Sequence, residues 1–335
     1  MIIDEPRFSR REALALFSAA ALTAALTRPG SAQTSQAATW TPPAPDRELM
    51  VPVRGGNIWV RVNGPLNAAK APVLMAHGGP GGNHVAFLPG LVLAQERGVI
   101  LYDQLDCGKS NHPQDRANWT VERFVSEVDA IRSALNLEKL HLLGHSWGGT
   151  IALEYAGRKP AGLRSTILQG PLISTRSWIN DAKALVASMK PEEREALVMG
   201  DRTGDRNTPE YRAATSSFYR QFNGRGGRPD YIAPYQRTMP RVGSTLYRDM
   251  WGPTEFVSDG ILKDYNGEAL LSQIDCPALF LVGEYDEARP VTAEAFSKRV
   301  KRGEFQMIRN AAHGIQFDAT TAWQDAIRTW FNRWD

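Results

Sequence analysis

Only two cysteines, Cys107 and Cys276, occur among 335 residues, which excludes a small disulfide-stapled scaffold. A dominant charge is missing as well: 39 Lys and Arg face 36 Asp and Glu, a formal net charge of +3. So weak a field does not gather nucleic acid, and no basic run interleaved with aromatics occurs, so no nucleic-acid partner is expected. There are no internal repeats and no low-complexity tract beyond the leader, which excludes fibres and solenoids. What is present is globular: 42% hydrophobic and 22% charged residues, in a length that buries one large core or a core with a second, smaller unit.

No run is apolar enough to span a membrane comfortably. The stretch from Ala13 to Thr27 would form about 22 Å of helix at 1.5 Å per residue, short of the ~30 Å bilayer core. It follows Ser9-Arg10-Arg11-Glu12-Ala13-Leu14 and ends in Arg28-Pro29-Gly30-Ser31-Ala32-Gln33, where small residues offer a cleavage point. Residues 1–32 therefore resemble a twin-arginine export signal. Its removal takes away Arg7, Arg10, Arg11 and Arg28 with Asp4, Glu5 and Glu12, leaving 35 basic against 33 acidic residues. The mature chain is expected to fold before export, to work in the periplasm or outside the cell, and to keep no stable membrane association after cleavage. Its cysteines fall at opposite ends of two strand candidates, whereas a disulfide needs Cα atoms within about 7 Å, so two free thiols are expected.

Residues 33–46 form a Ser, Thr, Ala and Pro-rich lead-in. From Arg47 the chain alternates through Leu49, Val51 and Val53, turns at Gly55-Gly56-Asn57, and alternates again through Ile58, Val60 and Val62, which predicts a β-hairpin. Short apolar runs follow at 73–76, 99–102, 140–143, 166–168, 279–282 and 305–308. Helical periodicity separates most of them, most clearly at Thr120–Leu135 with Phe124, Val125, Val128 and Ile131 on one face. Buried strands alternating with helices predict a mostly parallel, doubly wound α/β sheet. Between 171 and 255 no strand run occurs and turn residues abound, so this segment reads as a helical cap inserted into a core of residues 47–170 and 256–335.

The strongest chemical signal is Gly144-His145-Ser146-Trp147-Gly148-Gly149, between a strand candidate and a helix candidate. It fits G-x-S-x-G in the strand–turn–helix setting that lifts a serine hydroxyl clear of a sharp turn. A serine needs an imidazole base oriented by a carboxylate. In the order Ser, acid, His that accompanies this turn, His313 is the one histidine after Ser146. The acid must follow the carboxyl end of a strand; Asp275 precedes Ala278–Gly283 and is excluded, whereas Asp286 follows it, with Glu284 and Glu287 as neighbouring competitors. An oxyanion hole needs two backbone N–H groups. Trp147 supplies one, and the glycine-rich loop His77-Gly78-Gly79-Pro80-Gly81-Gly82 supplies the other, at Gly79. That loop has neither the Lys-Ser/Thr pair of a P-loop nor Rossmann spacing, and no pair of histidines sits at ligand spacing on a helix, so neither cofactor nor metal is expected.

Taken together, HGGPGG at 77–82, DQLDCGKS at 103–110, GHSWGG at 144–149, WGPTEF at 251–256, GEYDE at 283–287 and AAHG at 311–314 resemble the α/β-hydrolase fold proline iminopeptidases, including the tricorn-associated aminopeptidase branch and its amino-acid amidases. The resemblance covers most of the mature chain. It implies an acyl-enzyme exopeptidase that releases an N-terminal residue, often proline, from a short peptide or aminoacyl amide with a free N-terminus. It further implies that Glu255 and Glu287 hold the substrate α-ammonium and that Tyr247 is a pocket residue, with Trp147, Trp251, Phe218 and Tyr219 available as an apolar wall. Two departures stand out. Asp106 replaces the family's first glycine in DQ-x-GCG-x-S, which would place a charge near the pocket rim, and Phe218-Tyr219-Arg220-Gln221-Phe222 lacks the histidine of FY-x-x-H. An amidase, esterase or lactonase acting on a non-peptide small molecule is the alternative activity, and a catalytically silent binding protein a third reading.

Overall fold

The computed structural model describes residues 40–240 and 243–335. The expected export signal, residues 1–32, and residues 33–39 of the lead-in lie outside the described residues.

Eight strands form one sheet in the order β1-β2-β4-β3-β5-β6-β7-β8. The predicted hairpin is β1 (Arg47–Val53) and β2 (Gly56–Asn63), paired from Arg47↔Val62 to Val53↔Gly56. Its turn requires a left-handed residue, and Gly55 supplies one at φ +95°. β2 also runs antiparallel to β4 (Val99–Asp103), and every other pairing, through β3 (Val73–Ala76), β5 (Leu140–His145), β6 (Leu163–Gln169), β7 (Ala278–Gly283) and β8 (Gly303–Ile308), is parallel. The central strands are apolar along their length because helices cover both faces: β3, β4 and β7 are buried at every position.

One face packs on α1 (Val121–Leu135) and α2 (Trp147–Gly157), in a core that includes Phe124, Val128, Ile131, Leu142, Ile151 and Phe280. Thr120 caps α1 by accepting from the Arg123 amide, and Asn136 ends it in the left-handed conformation, so both predicted ends of that helix coincide with local capping chemistry. The opposite face is closed by the last helix, which brings Trp323, Ile327, Trp330 and Phe331 against Met75, Leu101, Leu143 and Leu281. Each such side chain contributes about 1.5–3 kcal/mol when fully buried.

Between β6 and β7 lie α3 (Thr175–Ser188), α4 (Pro191–Thr203), α5 (Pro209–Phe218), a single π-helical turn at Tyr219–Asn223, α6 (Ile232–Thr238) and α7 (Ser244–Met250). This region has its own small apolar cluster, with Leu197, Tyr211, Phe218, Phe222 and Phe256. After β7 come α8 (Pro290–Ser297), then β8, α9 (Ile315–Asp318) and α10 (Thr320–Arg333). Both cysteines are free: Cys107 is buried beyond the end of β4, and Cys276 precedes β7.

The parallel strands end on one edge of the sheet. The loops that leave β3, β5, β6, β7 and β8 there carry, in turn, the His77 glycine loop, Ser146, Gly170, Asp286 and His313.

Candidate active site

Ser146 occupies the turn between β5 and α2 at φ 57°, ψ −119°, a backbone conformation that L-residues rarely adopt. The flanking glycines allow this turn. A Cβ on Gly144 would collide with the Gly148 carbonyl, and one on Gly148 with the Ala76 carbonyl. The turn is fastened from outside: the Ser146 amide donates to Gln169 O at 2.9 Å, and Ser146 O accepts from the amides of Gly149 and Leu172. The Trp147 amide, the first of α2, belongs to the group of N–H donors that have no intrahelical acceptor.

The loop after β3 lies against this serine so closely that a Cβ on Gly78 would stand 3.0 Å from Ser146 Cβ. Gly79 adopts φ +121° and is followed by a cis peptide to Pro80. His77 anchors the loop. Its Nδ1–H donates to Gly78 O at 2.9 Å while Nε2 accepts from the Gln104 amide at 3.1 Å, and burial keeps the imidazole below its ordinary pKa. The Gln104 side chain donates to His77 O and accepts from Trp147 Nε1–H at 2.8 Å. Asp103 accepts from both the amide and Nδ1 of His84, and from the Lys109 amide. A Cβ on Gly108 would strike the Asp103 carboxylate. The DQLDCGKS motif therefore acts as a brace beneath the glycine loop.

His313 Nδ1–H donates to Asp286 Oδ1 at 2.7 Å. The acid is fixed in turn by the amides of Gly283 and Ala288. This leaves His313 Nε2 as the free nitrogen. Burial alone would lower the imidazole, but Asp286, then Glu287 and Glu255, outweigh it and push its pKa up to about 9. His145, next to Ser146, ties the two loops together: its Nε2–H donates to His313 O at 3.1 Å, and the rings lie 4.4 Å apart. Of the competing acids, Glu284 accepts from the Asn310 amide, and Asp275 pairs with Lys159 beyond the other end of β7.

Two carboxylates face His313. Glu287 is buried, its Oε1 lies 3.6 Å from His313 Nε2, and its Oε2 has no hydrogen-bond partner. Burial, reinforced by Glu255, holds its pKa well above the ordinary carboxylate range. Glu255, half-buried, accepts from Tyr247 Oη–H at 2.7 Å, and burial raises its pKa as well. Tyr219 and Tyr247 feel both acids, and burial together with those negative charges raises their hydroxyl pKa values far above the ordinary tyrosine value. A buried acid with an unpaired oxygen beside a second acid is a receptor for a cation.

Some expectations are corrected. The Trp147 ring is fully buried, bonded to Gln104 and edge-on to Phe124 at 5.6 Å, so it belongs to the core and is no pocket wall. Phe218 is likewise spent inside the cap cluster against Phe222 and Phe256. Asp106 stays off the rim: at φ 64° its carboxylate turns inward to accept from Trp119 Nε1–H and the Gln114 amide, both at 2.8 Å. Two residues escaped the sequence reading. Trp178 on α3 presents its ring 5.6 Å from His313 and donates Nε1–H to Glu255 O, with Trp251 edge-on behind it at 6.0 Å. Asn223, at the end of the π-helical turn, donates Nδ2–H to Glu287 Oε1 at 2.7 Å. The first looks in sequence like any core tryptophan of an amphipathic helix, and the second has no signal beyond its place after the altered FY-x-x-H element.

The family described as alpha/beta hydrolase fold matches residues 71–320, and the chain belongs to it. A proline iminopeptidase of Heyndrickxia coagulans is 37% identical over 248 residues, covering 74% of this chain and 85% of the relative. One from Levilactobacillus brevis is 33% identical over 85% of this chain and 96% of its own. The crystal structure of a proline iminopeptidase from Mycobacterium smegmatis superposes with a TM-score of 0.79 at 32% identity, covering 86% of this chain and 98% of the other. Within the α/β hydrolases, the chain is a member of the proline iminopeptidase family.

Proposed function

We propose that this protein is a cofactor-free serine exopeptidase that releases an N-terminal residue, preferably proline, from short peptides or amino-acid amides. The observation that carries this reading is the juxtaposition of the Asp286–His313 pair with two acids, the half-buried Glu255 and the buried Glu287 with its unpaired oxygen. In the mechanism, His313 Nε2 takes the Ser146 hydroxyl proton as Oγ attacks the aminoacyl carbonyl. The Gly79 and Trp147 amides receive the oxyanion, where one such donor is worth about 2.7–4 kcal/mol. The imidazolium then protonates the leaving amine, and water activated by the same nitrogen releases the amino acid from Ser146. Glu255 and Glu287 hold the α-ammonium, Tyr247 fixes Glu255, and Trp178 with Trp251 supplies the apolar surface for a pyrrolidine ring. Charged hydrogen bonds to a desolvated ammonium are worth about 1.5–3 kcal/mol each, so an N-acetylated substrate forfeits them and leaves two acids unpaired.

The test compares prolyl p-nitroanilide with N-acetyl-prolyl p-nitroanilide and p-nitrophenyl acetate. Wild type should turn over the first and reject the second. Ser146→Ala should abolish turnover, and Glu255→Gln should lower kcat/KM on the prolyl anilide by roughly tenfold or more while sparing the acetate. Ester turnover without prolyl turnover would refute the peptidase reading.

We further propose export through the twin-arginine route, on the strength of Arg10-Arg11 ahead of the Ala13–Thr27 stretch. Replacing both arginines by lysine should leave the protein uncleaved in the cytoplasm; undiminished export of that variant would overturn the assignment.

A further inference from the structure

One of the segments through which the cap reaches the catalytic loops is the π-helical turn Tyr219–Asn223. Phe222 O accepts from the amides of both Glu287 and His313, at 3.2 and 3.1 Å, and Asn223 O accepts from the Gly314 amide at 2.8 Å. These backbone bonds fix the position of the turn whatever side chain stands at 223. Toward those loops it adds the side-chain bond from Asn223 Nδ2–H to Glu287 Oε1. A π-helical turn inside helical structure is uncommon and tends to occur at functional sites.

Glu287 has two places to go. Its Oε1 is 2.7 Å from Asn223 Nδ2 and 3.6 Å from His313 Nε2, the nitrogen that must remain open to Ser146. A buried carboxyl beside an imidazole shares a proton with it, and the pair titrates as a unit. Aminoacyl hydrolysis requires the pair in one state, with the carboxylate ionised to hold the ammonium and the imidazole neutral to act as base.

We propose that Asn223 is a positioning residue for amine recognition: its amide pins Glu287 Oε1 away from His313 Nε2, favours the anionic form of the carboxyl, and leaves Oε2 for the substrate's α-ammonium. The inference rests on the exopeptidase reading and assigns to that site a residue the family resemblance does not supply. The amide is suited to the task because Nδ2 can only donate and carries no charge of its own. An aspartate there would confront Glu287 with a like charge. The other groups facing the pair are Asp286, Glu255, His145, Tyr219 and Tyr247; Asp286 is occupied by His313, and Tyr247 is bonded to Glu255. Among the described residues Asn223 is therefore the neutral donor on Glu287.

The experiment compares wild type with Asn223→Ala, Asn223→Asp and Asn223→Gln, on prolyl p-nitroanilide and on the amine-free p-nitrophenyl acetate. Fluorophosphonate titration of Ser146 normalises every rate to correctly folded sites. Asn223→Ala should raise KM for the prolyl anilide by roughly tenfold to a hundredfold, the span of one charged hydrogen bond, with kcat changed much less. Its acid limb in kcat/KM should move to higher pH, because the last proton leaves the Glu287–His313 pair later without the amide. On the alkaline plateau, where His313 is neutral in both proteins, the acetate, which carries no ammonium, should keep its KM and normalised rate. Asn223→Asp should match or exceed the alanine defect, and Asn223→Gln should recover part of it. Unchanged prolyl KM in Asn223→Ala, or an equal loss on both substrates, would overturn the proposal. Should wild type take the acetate but no prolyl substrate, the exopeptidase reading fails first and the role of Asn223 with it; failure of Asn223 alone shows as wild-type prolyl turnover that the substitution does not alter.

Discussion

At the scale of single residues, His313 governs the chemistry through its ionisation. Asp286, Glu287 and Glu255 surround one imidazole with three carboxyl groups, and against the opposing effect of burial they push its pKa up to about 9. Only the neutral ring can accept the Ser146 proton, so the free enzyme gains reactivity as pH rises. A fluorophosphonate carries no ammonium and reports that free state. Its labelling rate at Ser146 should climb about tenfold per pH unit below the pKa and level off only near pH 9. An aminoacyl substrate brings its own cation to Glu255 and Glu287 and offsets their field, so kcat for prolyl p-nitroanilide should level off at a lower pH than labelling does. A labelling plateau near the unperturbed ~6.5 would mean that the surrounding acids do not act on His313. The same raised pKa has a stability consequence of definite sign. The imidazolium's contribution is complete below the unfolded value and is lost as pH rises through about 9.

At the scale of elements, legibility followed how local the determining physics is. β3 was readable to the residue because four buried apolar side chains sit between Pro72 and His77, and α1 was readable because Thr120 and Asn136 cap it within its own sequence. The serine turn, the glycine loop and the His313 loop were legible for a related reason. Each follows a strand whose direction in a parallel sheet places its carboxyl end on one edge, so chain order alone brings Ser146, Asp286 and His313 to the same side. The cap resisted reading because its geometry is imposed from outside. Nothing in Tyr219-Arg220-Gln221-Phe222-Asn223 distinguishes a π-helical turn from one more turn of α5; the bonds from Phe222 O to two catalytic-loop amides select it. Asp106 misled for a conformational reason, since a left-handed backbone at φ 64° sends its side chain inward to Trp119. Trp147 and Trp178 exchanged roles for a similar reason: composition marks both as apolar, and only packing decides which ring faces the core and which faces His313.

At the scale of the whole molecule, a buried polar clamp fastens the strand edge opposite the site. Arg97, fully buried just before β4, donates to Ala71 O, to Asn332 Oδ1 and, through two nitrogens, to both carboxylate oxygens of Asp335 at 3.0 and 2.8 Å. Asp335 also accepts from the Ala71 amide, and His141 approaches it at 3.3 Å. One ion pair thereby fastens the segment after α10 to the starts of β3, β4 and β5, and with it the Trp323–Phe331 face of the core. Although burial opposes it, the bonds from His141 and Arg97 hold the Asp335 carboxyl well below the ordinary carboxylate range. Removing the acid strands a guanidinium inside the protein, a change that costs about 3–5 kcal/mol in a dry interior. The Asp335 side chain is 19% exposed and admits water, so Asp335→Ala should lose about 3 kcal/mol, at the lower end of that range, in urea unfolding at pH 7. The sign of its pH dependence is fixed by the depressed pKa. The clamp's contribution is complete above the unfolded carboxylate value of ~3.9 and fades as pH falls below it, so variant and wild type should converge in acid. Because the clamp lies at the edge away from Ser146, fluorophosphonate-normalised turnover at pH 7 and low temperature should be unchanged. Equal urea midpoints for variant and wild type at pH 7 would show that the apolar face of α10 alone holds this edge closed.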